Sequence, residues 1–78
     1  MKYSFKYAYK LLYSYPNINY IVLDRGSKFQ PFVAAWCYDA NYDSWAQGHY
    51  FETLADALHY IRCKHGEQEQ PIKEVEYN

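Results

Sequence analysis

Three oxygen-bearing side chains alternate in Asp39-Ala-Asn41-Tyr-Asp43, matching the first three ligand positions of a calcium loop. The match then fails. The sixth position is Ser44, where the sharp turn needs Gly, and the twelfth is Tyr50, where a bidentate Glu is needed. The segment reads instead as a solvated turn whose Asp and Asn satisfy nearby backbone groups. A second set is His59 and Cys63, spaced i, i+4, with His65 two residues on. That spacing can seat two ligands on one metal, and Cys37 with His49 would complete four. Helical phase turns His59 and Cys63 away from the apolar residues of their segment, and no paired C-x2-C exists. The surface reading is therefore preferred, and no metal or cofactor is expected. A thiol nucleophile would need a base and an orienting group in contact with it. No nucleophile elbow or glycine-rich phosphate loop is present, the chain having only three glycines. No enzyme is expected.

The side chains in excess are aromatic: eleven Tyr, four Phe and two Trp in 78 residues. Tyr3, Tyr7, Tyr9, Tyr13 and Tyr15 form one cluster, and Trp36, Tyr38, Tyr42, Trp45, Tyr50 and Phe51 another. Packing absorbs part of this, because a small domain needs bulky filler. It does not absorb all of it. On a regular strand Trp36 and Tyr38 share one face while Ala35 and Cys37 take the other, so some rings are expected in solvent. Exposed Tyr and Trp make protein-interface hot spots, and they also stack single-stranded bases. The aromatic strand of an RNA-recognition fold is absent, and the near-neutral balance supplies no basic groove.

The elements that must carry these residues follow from periodicity and punctuation. Residues 2–15 fit both a helical stripe (Phe5, Ala8, Tyr9, Leu12) and an alternating strand; fourteen residues is long for a strand, so a helix is predicted, ended by Pro16. Residues 18–24, 29–38 and 45–51 read as strands, with Arg25-Gly26-Ser27 and 39–44 as turns. Gly48, inside the third strand, signals a bulge or a close approach. Residues 53–65 form the clearest helix, with Thr53 as N-cap, Asp56 as its capping-box partner, Leu54, Ala57, Leu58 and Ile61 as the buried stripe, and Gly66 as C-cap. The expected fold is α+β: a three-stranded antiparallel sheet flanked by an N-terminal and a C-terminal helix, in the order α-β-β-β-α. Residues 1–66 are expected to form one domain, with 67–78 a polar tail holding at most a short edge strand.

A chain of 78 residues is one domain, and a domain this small favours a binding surface over a deep catalytic pocket. Half its residues are hydrophobic and 22% are charged, which excludes a disordered tail. No apolar run reaches the length of a membrane span. Lys6 and Lys10 interrupt the start, so no secretory leader is expected. Two cysteines, Cys37 and Cys63, make no disulfide framework, and a cytoplasmic location is expected. Net charge is −1, but residues 1–36 carry Lys2, Lys6, Lys10, Arg25 and Lys28 against Asp24, a balance of +4, while residues 37–78 carry three basic and eight acidic residues, a balance of −5.

Trp36-Cys-Tyr38-Asp39, then Trp45-Ala-Gln47-Gly48-His49-Tyr50-Phe51 and the capped helix with Ala57-Leu58, resemble small proteins of Gram-positive phages and mobile elements over residues 18–65. The resemblance brings no activity with it; it implies a protein that acts by attaching to a host or defence protein. The resulting expectation is a non-enzymatic protein-binding module, in its concrete form an inhibitor of a host defence nuclease complex. Its binding residues are Tyr7, Leu11, Trp36, Tyr38, Tyr42, Trp45 and Tyr50, with Asp39, Asp43, Glu52 and Asp56 as an acidic patch fitted to a basic nucleic-acid groove. Tyr7 and Leu11, lying off the helical stripe, are expected to be covered by a twofold dimer or by the partner. The alternative is a single-stranded nucleic-acid binder using the Tyr/Lys-rich N-terminal half.

Overall fold

A computed structural model describes residues 9–39, 42, 44–66 and 70–74. The elements are β1 (Lys10–Tyr15), β2 (Tyr20–Asp24), β3 (Phe32–Asp39), β4 (Ser44–Phe51), α1 (Leu54–His65) and β5 (Ile72–Lys73). They build one five-stranded sheet in the order β4-β3-β2-β1-β5, with every neighbouring pair antiparallel. The first four strands are a meander, and β5 returns to the free side of β1. This is a small, mostly-β fold with one helix among the described residues. It corrects the expected three-stranded α-β-β-β-α arrangement.

The correction lies in the N-terminal segment. Residues 1–8 fall outside the described residues, and Lys10–Tyr15 is a strand. Two features of the sequence imitate a helix there. Leu11 and Leu12 are adjacent and both buried, which strict alternation does not allow. The pairing Leu11↔Leu23 followed by Tyr13↔Val22 shows why: the register slips by one residue, leaving Leu12 as a bulge. The strand also has partners on both faces, since Leu11 packs in one cluster and Tyr15 in the other. Strands covered on both sides lose the apolar/polar alternation that marks a half-buried strand. Leu11, expected in a surface patch covered by a second copy or a partner, is instead part of the chain's own core, 5% exposed.

The sheet separates two cores. On one face Tyr15, Tyr20, Val22 and Ala34 meet Ala57 and Ile61 of α1, with Phe51, Leu54, Leu58 and Tyr60 packed around them. On the other face Leu11, Ile21, Leu23, Val33 and Ala35 form a second cluster, against which Tyr9, Tyr38 and Trp45 pack. Helix α1 follows β4 and lies on β3 and β4. Its ends are built as the sequence reads. The Asp56 amide donates to Thr53 Oγ1 at 3.1 Å, and Gly66, at φ 88°, donates its amide to the Arg62 carbonyl at 2.8 Å. Ser14, a buried hydroxyl, donates to Glu74 Oε1 at 2.5 Å. Together with the Glu74 amide on the Leu12 carbonyl at 2.8 Å, this bond fixes β5 to β1.

Candidate functional site

Among the described residues, the richest presentation of exposed aromatic surface is at the β2–β3 connection. Sequence reasoning gave Phe29 to a strand; β3 starts at Phe32, and Gln30 takes a positive φ of 47°. The loop is held by Arg25. Its amide donates to the Pro31 carbonyl at 2.8 Å, its Nε to the Gln30 carbonyl at 3.0 Å and its Nη2 to the Phe29 carbonyl at 3.0 Å. The Gly26 amide donates to Asp24 Oδ1 at 2.9 Å, and the Phe29 amide to Ser27 Oγ at 3.2 Å. The guanidinium then lies 4.6 Å from the centre of the Tyr50 ring, a cation–π contact. The result is a braced loop that leaves Phe29 78% exposed, with Arg25 joining its carbonyl to a Tyr50 that is 41% exposed. Arg25-Gly26-Ser27 signalled the turn, but nothing in the sequence tells that the Arg would tie the loop to β4.

The other expected binding residues are dispersed. Trp36 stands across from Tyr20 on β2 and Gln47 on β4. Directly opposed residues share a face, so Trp36 is on the helix side of the sheet, at its margin. Tyr38 was expected beside it. Instead Cys37 adopts φ 61° and donates its amide to the Asn19 carbonyl at 2.8 Å. The alternation breaks there, and Tyr38 packs with Trp45 against the cluster of Ala35 on the opposite face. Trp45 lies over Gly48. A Cβ on that glycine would fall inside the indole's Nε1 envelope and 3.0 Å from its Cδ1, so the close approach signalled by Gly48 is made by a side chain. Tyr9 meets the same indole, with ring centres 6.4 Å apart. Tyr42 is exposed in the β3–β4 turn. Tyr7 and Asp43 lie outside the described residues, and Leu11 is core.

Among the described residues, the acidic set of Asp39, Glu52 and Asp56 does not converge. Asp39 pairs with Ser44 at one end of β4, while Glu52 follows Phe51 at the other and Asp56 is in the first turn of α1. At about 3.3 Å per residue the length of β4 separates them by about 23 Å. The metal-like set is also scattered. Cys63 Sγ approaches His59 Nε2 at 3.3 Å on the exposed side of α1, His49 stacks on Tyr60 with ring centres 4.5 Å apart, and His65 lies edge-on to Tyr20 at 5.0 Å. Among the described residues no group of three or more His, Cys, Asp and Glu converges. Two shallow depressions flank Cys37: one of about 460 Å³ lined by Cys37, Tyr38, Asp39, Ser44, Trp45 and Ala46, and one of about 160 Å³ reaching Tyr15 and Asn19. Among the described residues, no helix is long and apolar enough to cross a membrane. No family model matches the chain, nor does any curated protein or solved structure.

Proposed function

We propose that this chain is a non-enzymatic protein-binding module whose contact centre is Phe29, Arg25 and Tyr50. The observation that supports it most is the braced loop. Several hydrogen bonds restrain a segment whose main product is a Phe ring held in solvent. A Phe presented this way contributes nothing to the core, and its ordering is complete before a partner arrives, which lowers the entropy lost on binding. Arg and Tyr beside it are the residue types that concentrate interface energy. The partner class in this reading is a host or defence protein, on the strength of the resemblance over residues 18–65. The version aimed at a nuclease's nucleic-acid groove loses its acidic support, because Asp39 stands apart from Glu52 and Asp56. The single-stranded nucleic-acid reading rests on Lys2, Lys6, Tyr3 and Tyr7, which lie outside the described residues, while Arg25, which it also uses, is engaged with carbonyls and a ring.

Immobilised chain should retain one protein in stoichiometric amount from host lysate. Phe29→Ala and Tyr50→Ala should release it, weakening binding by about 30-fold or more each, as hot-spot truncations do, while leaving the cooperative melt in place. Retention of RNA without a stoichiometric protein would reject the reading.

A further inference from the structure

The two edges of the sheet are unlike. The β5 edge is two residues long and ends on Lys73 and Glu74. Short edge strands and charged residues are what natural sheets use to prevent edge-to-edge pairing. The β4 edge has neither protection. It is eight residues long, Ser-Trp-Ala-Gln-Gly-His-Tyr-Phe, with no charged residue and no proline. Among the described residues its only strand partner is β3, so alternate amides and carbonyls along its outer side have no partner strand. Six of its eight residues are exposed.

We infer that β4 pairs with β4 of a second copy, antiparallel across a twofold axis through Gly48. The sequence of the strand favours itself as the occupant. A twofold pairing centred on a residue sets each residue opposite one of the same parity, so the helix-bearing faces of the two copies fall on one side of the joined sheet and the aromatic faces on the other. With Gly48 at the centre, Gln47 meets His49 of the second copy and His49 meets its Gln47, two polar pairs able to hydrogen bond. Because the strand is uncharged, no like charges meet at any position. The joined sheet would carry two copies of the Phe29–Arg25–Tyr50 centre on one face. The pairing stands or falls apart from the binding reading, since it needs only purified chain.

Sedimentation equilibrium should report a dimer of the 9.4 kDa chain at about 100 µM, the weak regime proper to a small edge contact. Gln47→Lys combined with His49→Lys sets ammonium groups opposite each other twice and should weaken the dimer about tenfold or more. Gln47→Lys combined with His49→Glu sets opposite charges there and should keep it. Hydrogen exchange on the wild-type chain needs no variant: amides of residues 46–50 should gain protection as concentration rises, and those of β5 should not. A monomer at that concentration, a dimer indifferent to both charge pairs, or a dimer whose β4 amides exchange as in the monomer would overturn the inference.

Discussion

Gly48 shows how one residue sets a surface. It stands opposite Ala35 on β3, and these two small residues leave the floor on which the Trp45 indole lies. Adding a methyl at Gly48 meets the rigid indole and not the end of a flexible chain, so the ring must move. Gly48→Ala should therefore destabilise the protein by about 1–3 kcal/mol, the ordinary cost of overpacking. In a Trp36→Phe background the remaining indole emission should shift to the red as Trp45 loses its seat. A stable variant with unchanged emission would show that the indole had other room. The glycine announced this approach in the sequence because Gly inside a strand has few other uses. Cys37 gave no such notice. A thiol residue rarely takes a left-handed backbone, yet φ 61° there is what separates Tyr38 from Trp36 and divides the expected aromatic patch between the two faces. Phe29 was equally hidden, because its exposure follows from the bonds made by Arg25 and not from its own neighbours.

At the scale of elements, legibility followed how many faces an element buries. Helix α1 buries one stripe, so Leu54, Ala57, Leu58 and Ile61 stood out at helical spacing, and Thr53 and Gly66 marked its ends. Strands β2, β3 and β4 were marked by β-branched and aromatic residues between turns, with ends displaced by at most three residues and two of the six ends matched. Strand β1 buries both faces and carries a bulge, and each feature erases the period that would have told it from a helix. The helix stripe supports a direct test. Ile61 is 1% exposed and packs among Tyr15, Tyr20 and Val22. Ile61→Asp places a carboxylate there without a partner, at a cost of several kcal/mol, comparable to the whole stability of so small a domain. Its circular dichroism should lose the cooperative thermal transition. Leu58→Asp, at a half-buried position, should melt earlier but still cooperatively. Equal behaviour of the two variants would mean that α1 is rotated about its axis, with Leu58 as deep in the core as Ile61.

For the whole molecule, the way the helix-side core is filled predicts its response to alkali. A domain of this size fills its interior with tyrosine, and Tyr15 and Tyr20 are each under 5% exposed. Burial pushes both phenols above the ordinary value of 10.0, with Tyr13 adding to the shift at Tyr15 and Arg62 opposing it. At Tyr20 hydrogen bonding with Tyr60 adds to burial. Tyr60 in turn accepts a bond from Lys64 Nζ at 3.2 Å. In the unfolded chain the same phenols ionise at the ordinary value. Below that pH both states hold the protons and the contribution to stability is complete. As pH rises past about 10 the unfolded state releases protons that the folded state retains, so stability falls until the folded values are passed. The melting temperature should thus be flat on the acid side of this window and decline through it. In ultraviolet absorbance the phenolate signal of Tyr15 and Tyr20 should appear only as the fold is lost. Tyr15→Phe and Tyr20→Phe should each make the decline shallower, since a ring without a hydroxyl has no proton to lose. A decline of the same steepness in both variants would move the alkaline sensitivity to other groups and detach it from the packing of the helix-side core.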